Sequence, residues 1–193
     1  MVAILAFLVG AGLGLAILPG ARDLLRPRSD SRPAAIGGPF ELIDHTGRTV
    51  TQADFRGRYM LVGFGHIGSN DATPAQLQLM AAALEKLGRR ADEIVPVFVT
   101  LDPERDSPAE LAAWVGRFHP RLVGLGGTKA AVESMARAWK VPLRGTSMAD
   151  SDAIGSSALL YLMGPDGSYR AHFGSFMDVK EFVRGLAVEL NVN

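Results

Sequence analysis

The residues with the most chemical reach stand between Gly65 and Pro74, in the run His66-Ile67-Gly68-Ser69-Asn70-Asp71-Ala72-Thr73. An imidazole and a hydroxyl three residues apart are the raw material of an activated serine, and the chemistry would be hydrolysis by Ser69 with His66 as base. That arrangement needs an acid to orient the imidazole, and no acidic orienter is evident in the pattern. A second chemistry is soft-metal binding. Imidazole and thioether sulfur both bind copper, so His66 and Met148 form a candidate ligand pair, although no ligand spacing connects them. The third reading is structural. Thr73-Pro74-Ala75-Gln76 has the form of a capping box with proline in the first helical position, which makes Thr73 the expected cap of a helix and Ser69 a solvated loop residue. His45 falls in a turn, His119 at a helix end and His172 in a strand, and these are expected to be structural or solvated.

The chain of 193 residues contains no cysteine. Thiolate catalysis, disulfides, zinc–cysteine sites and iron–sulfur clusters are thereby excluded. Lysine plus arginine and aspartate plus glutamate each total 20, so the formal net charge is zero, against the basic excess of a nucleic-acid binder. Apolar residues make up 48%, which argues against disorder.

The elements that must position these residues follow from periodicity. Residues 1–18 form an apolar run long enough to cross a bilayer as a helix, ended by Pro19 and Gly20. No basic residue precedes it, so an uncleaved anchor is expected rather than a signal peptide. The charges just after it, Arg22, Asp23, Arg26, Arg28, Asp30 and Arg32, sum to +2 and by themselves favour a cytoplasmic C-terminal side. Residues 21–38, rich in Arg, Ser, Pro and Gly, read as a linker, and residues 39–193 as the folded domain. Within it, 40–44 and 49–51 flank a turn, and 59–65 and 94–101 are buried strands. A helix over 74–87 lies between them, with Leu77, Met80, Ala81, Leu84 and Leu87 inward. Ser107-Pro108-Ala109-Glu110 caps a helix over 108–118. A short strand over 122–125, a helix from Thr128 through Trp139, a hairpin of 158–163 with 169–173, and a last helix over 177–190 complete the order. Phe182, Val183, Leu186 and Leu190 are expected inward on that last helix. This is the order of an α/β, thioredoxin-like fold, a mixed sheet flanked by helices.

Several stretches carry a resemblance. They are Gly38-Pro39-Phe40-Glu41-Leu42, Leu61-Val62-Gly63-Phe64-Gly65, Thr100-Leu101-Asp102-Pro103-Glu104-Arg105-Asp106, Phe118-His119-Pro120 and Ser157-Ala158-Leu159-Leu160-Tyr161-Leu162-Met163 with Pro165-Asp166-Gly167. In these the chain resembles the Sco/SenC family of membrane-anchored, thioredoxin-like copper proteins. The resemblance implies a copper site of two cysteines spaced C-x-x-x-C and one histidine. In register those positions are Ser69, Thr73 and Ser156. Neutral hydroxyls are hard, poor ligands for copper(I). The expectation is therefore a degenerate site with no metal or other cofactor, no enzymatic activity, and a binding or scaffolding role. The resemblance further implies a setting in cytochrome oxidase assembly, with a membrane and an oxidase subunit or a copper-binding paralogue as partners. It places the chain in the bacterial inner membrane with its domain facing the periplasm. Asp102, Glu104, Arg105 and Asp106 are expected to cap the next helix and pair locally, or to face a partner.

Overall fold

The structure, a computed structural model, describes residues 36–68, 72–143 and 159–190. The described residues belong to one compact unit.

Strand β1 (Glu41–Asp44) turns through Gly47 into β2 (Thr49–Thr51), an antiparallel pair. Asp44 holds that turn. Its carboxylate accepts from the Thr46 N–H at 2.9 Å, the Thr46 hydroxyl at 2.5 Å and the Arg48 N–H at 3.0 Å. Then β3 (Tyr59–Gly65), α1 (Thr73–Leu87) and β4 (Ile94–Thr100) form a βαβ unit whose strands are parallel and buried along their whole length. Helix α2 (Pro108–Val115) and β5 (Val123–Gly126) extend the parallel set. Helix α3 (Lys129–Ala138) precedes the antiparallel hairpin of β6 (Leu159–Met163) and β7 (Tyr169–Gly174), and α4 (Val179–Leu190) closes the order. The sheet runs β2-β1-β5-β4-β3-β6-β7.

Alternation along the strands sends side chains to two cores. Leu61, Phe98, Leu160 and Leu162 face α1, α2 and α4, where Leu77, Met80, Leu84, Leu111, Phe182 and Leu186 meet them. Val62, Phe64, Val97 and Val99 face the other side, covered by Val132, Met135 and Trp139. There Phe64, Trp139 and Tyr161 meet edge to face at 5.5–5.9 Å between centroids, a favoured aromatic geometry.

The predicted α/β order and mixed sheet are present, with local differences. Helix α2 stops at Val115 rather than 118: Gly116 is its C-cap, and beyond it Arg117 and Phe118 donate three residues back, to the Trp114 and Val115 carbonyls, as in a tightened last turn. Helix α4 begins at Val179 rather than 177, with Asp178 Oδ1 accepting from the Lys180 N–H at 2.8 Å. On α1 the inward set includes Leu79 and Ala83, while Ala81 and Leu87 are only half-buried. Two 3-10 turns, Gln52–Phe55 and Gly88–Glu93, carry too few residues for periodicity to show. The apolar run of residues 1–18 lies outside the described residues. Among the described residues no helix is long and apolar enough to cross a membrane.

Candidate functional site

The site is built on the last turn of β3, Gly63-Phe64-Gly65. Phe64 points into the Trp139 side, so both glycines face α1. A Cβ on Gly63 would stand 2.4 Å from Gln76 Oε1, and one on Gly65 only 2.1 Å from Thr73 Oγ1. The two missing side chains open slots into which the first turn of α1 places its polar groups.

Thr73 and Gln76 are accordingly fully buried. Thr73 Oγ1 accepts from the His66 N–H at 3.4 Å, and Gln76 Nε2 donates to the Leu159 carbonyl at 2.8 Å, tying α1 to the start of β6. This corrects the capping expectation. The N-cap of α1 is Ala72, with no side-chain cap bond, and Pro74 follows in the first turn. The hydroxyl that was expected to close over its own helix is turned to the strand, because the Gly65 slot is there to receive it. Gln76 likewise leaves the capping box and reaches across the sheet.

The loop after β3 is held from the other flank by the end of β4. Leu101 N–H donates to the Gly65 carbonyl at 2.8 Å. The Thr100 hydroxyl donates to Asp106 Oδ2, and the Ile67 N–H approaches that same oxygen at 3.4 Å. Asp106 is thus 8% exposed and turned inward, away from both roles expected of it. Ser107 and Glu110 do the capping of α2, with Glu110 Oε2 accepting from the Ser107 N–H at 2.8 Å. Asp102 and Arg105 pair locally at 3.8 Å as expected, whereas Glu104 reaches Lys129 at the start of α3, at 3.5 Å.

His66 and Ile67 are half-buried at the mouth of this loop. Ser69, Met148 and Ser156 lie outside the described residues. Among the described residues no three His, Asp or Glu side chains gather as a metal-holding group. The chemistry of the described donor at the loop's end does not fit copper(I): Thr73 offers a neutral hydroxyl buried against backbone.

The other histidines are structural. His45 Nδ1 accepts from the Gly124 N–H at 3.1 Å, and His119 Nδ1 accepts from the Arg121 N–H at 3.1 Å. Burial, reinforced by the Arg121 charge and opposed by Glu85, lowers the pKa of His119 below the usual histidine value. His172 Nδ1 meets the Tyr169 hydroxyl at 2.5 Å on the sheet edge. Sequence reasoning missed Gln76 as the tie from α1 to β6 and Asp106 as the polar residue that holds the loop. The signal for Gln76 was the glycine pair on one face of a central strand, which leaves room for something from the helix above.

Comparison with known proteins places this arrangement. A family model described as SCO1/SenC matches residues 28–191. The chain is 36% identical to the Arabidopsis thaliana "Protein SCO1 homolog 1, mitochondrial" over 159 residues, 81% of this chain and 48% of the relative. It is 36% identical to the Mus musculus "Protein SCO2 homolog, mitochondrial" over 189 residues, 93% of this chain and 74% of the relative. It therefore spans about half the length of the Arabidopsis relative. The crystal structure of Arabidopsis thaliana ScoI with copper bound superposes with a TM-score of 0.72 at 34% identity, covering 82% of this chain and all of that one. These relatives correct one expectation: a bacterial inner-membrane location is not supported, since both curated relatives are mitochondrial by name.

Proposed function

The chain belongs to the SCO1/SenC family, and from that premise we propose that it serves cytochrome c oxidase assembly as a binding protein that does not carry copper at the family's ligand positions. One observation carries the reading. Thr73, in register with the family's second cysteine, is fully buried, its hydroxyl engaged by the His66 N–H and its side chain seated in the Gly65 slot. The position works as a packing contact between α1 and β3. The absence of any cysteine in the sequence supports the same reading, because copper(I) is held best by soft sulfur. The scaffold around the position is intact, and a surface kept without its metal ligands is suited to recognising a protein partner, an oxidase subunit or a copper-binding paralogue.

The test is co-purification from native membranes with an affinity-tagged full chain. An oxidase subunit or a copper-binding paralogue, recovered equally with and without a copper(I) chelator, is the expected result. Recovery that depends on copper would overturn the reading and favour a carrier built on His66 and Met148.

Residues 1–20 serve in this reading as the membrane anchor and 21–38 as the tether, supported by the uncharged apolar run of the sequence. The full chain should resist carbonate extraction from membranes, whereas a chain beginning at Ile36 should be released. Release of both would remove the anchor.

A further inference from the structure

We propose that the outer edge of β7 pairs with the same edge of a second copy of this chain, antiparallel and about a two-fold axis at Phe173. The inference concerns self-association and stands apart from the binding role given above.

Strand β7 ends the sheet, and among the described residues it pairs with β6 alone. Which of its backbone groups are left over follows from the hairpin. The Gly164 N–H donates to the Ser168 carbonyl at 2.7 Å, so Gly164 turns its backbone toward β7. Pairing groups alternate along an antiparallel strand, so Leu162 and Leu160 do the same, opposite Ala171 and Phe173. His172 and Gly174 therefore turn their N–H and C=O groups out of the sheet, and both residues are exposed. The Gly174 carbonyl takes the Met177 N–H at 3.3 Å and keeps a second lone pair.

Natural sheets blunt an edge by shortness, a bulge, proline or charge. The opposite edge, β2, has three residues. Strand β7 has six, with no proline or lysine. Its one arginine, Arg170, is turned onto α4, where it meets Glu189 at 3.5 Å. Its bulge lies across from Leu162 and Met163, near the Tyr169 end, and leaves 171–174 regular. Open N–H and C=O groups of an extended strand are matched by another extended strand.

The residues of this edge argue that the added strand is its own copy. A two-fold interface must be self-complementary. With the axis at Phe173, His172 faces Gly174 of the second copy and Gly174 faces His172 of the second copy, so each outward residue meets an outward residue. His172 and Gly174 share the face of Tyr161 and Leu159, which they oppose on β6. A ring thus stands opposite a residue without a side chain, and a Cβ on Gly174 would have nothing within 4 Å, so the space to receive the ring is open. The His172 ring is already held by Tyr169, stacked on it at 6.2 Å between centroids. On the other face the two half-buried Phe173 rings form a cross-strand aromatic pair. Moving the axis by one residue sets two His172 rings against each other or pairs the two glycines alone.

The chain has no cysteine, so introduced ones report by themselves. Full chains carrying His172→Cys and Gly174→Cys, with different tags, are mixed under diamide. In the proposed register these two positions lie about 5.5 Å apart between Cα atoms, within disulfide reach, whereas like positions lie on the diagonal at about 7–8 Å. The mixed disulfide should form about fivefold faster than either like-with-like one. Sedimentation of the full chain at rising concentration should show a monomer–dimer equilibrium. Gly174→Lys, whose side chain has room in the monomer but meets His172 in the pair, should abolish it. Equal rates for the three disulfides would overturn the register. A wild-type chain that stays monomeric, or a Gly174→Lys chain that dimerises as wild type does, would overturn self-pairing at this edge.

Discussion

At the scale of single residues, Thr73 shows how a side chain of ordinary type acquires a role from what faces it. A capping threonine tolerates aspartate and depends little on its methyl group. A threonine seated in a strand's glycine slot depends on both its shape and its hydroxyl. Thr73→Ser should therefore be mild. Thr73→Val keeps the shape but leaves the His66 N–H without its acceptor, at an expected cost of about 1–3 kcal/mol. Thr73→Asp buries a carboxylate at a fully enclosed position and should cost about 3 kcal/mol or more. Urea unfolding of the three variants checks the order, and a stable Thr73→Asp would restore the capping role. The sequence pattern was compatible with either role. What decided it, the space above Gly65, is a property of two elements in contact and is carried by no local motif.

Asp44 gives a second prediction at this scale. Burial pushes its carboxyl pKa up, but hydrogen bonds from Thr46 and Arg48 outweigh burial and hold it below the usual carboxylate range. The unfolded carboxyl titrates near about pH 3.9. The stabilisation is thus complete above that value and is lost as pH falls through the lower native one. Asp44→Asn should cost about 1.5–3 kcal/mol at pH 7. The gap from wild type should narrow in urea melts at pH 3, and a gap unchanged between the two pH values would contradict the linkage.

At the scale of elements, the caps that were legible were those whose signal is wholly local. Ser107-Pro108-Ala109-Glu110 and Thr128 cap as read, because a capping side chain needs only its own next turn. Ser107→Ala should therefore lower stability by about 1 kcal/mol. The start of α1 was misread because its polar residues answer to β3 and β6. The same contact makes a prediction about the strand. Gly65→Ala places a methyl where Thr73 Oγ1 already stands, 2.1 Å from the new Cβ. Overpacking of this kind should cost about 1–3 kcal/mol, with Thr73→Gly in the same chain recovering part of the loss. Thermal unfolding of the single and double variants measures it, and additive losses would show that the two positions do not share the slot. The 3-10 turns and the bounds of α2 and α4 were beyond periodicity for a simpler reason. The turns are too short to show a period, and the helix bounds depend on local hydrogen bonds, such as the Lys180 N–H to Asp178 Oδ1 and the three-residue turns after Gly116, at the ends of apolar runs that continue past them.

At the scale of the whole molecule, the alternation of buried strands with amphipathic helices made the α/β order readable, since each element must bury one face on the next. The two-sided core follows from the period of the strands alone. The chain enters the folded unit at Gly37, whose N–H donates to the Ala138 carbonyl at 3.1 Å, beside Met163 at the end of β6. Met60, at the start of β3, is the Cα partner of Met163, so the entering chain and the loop after Gly65 lie at opposite ends of β3.

Under the proposed function, the family's copper site is kept here as scaffold without its ligands. Copper(I) binding under a competing chelator tests it most directly, in the wild-type chain and in the triple variant Ser69→Cys, Thr73→Cys, Ser156→His. The two cysteines restore soft sulfur in register, and the histidine completes the set. The wild-type chain should take no stoichiometric copper(I), and the reduced triple variant should take one equivalent. Stoichiometric binding by the wild-type chain would contradict the claim that the ligands are lost. A folded triple variant that binds none would contradict the claim that the scaffold remains.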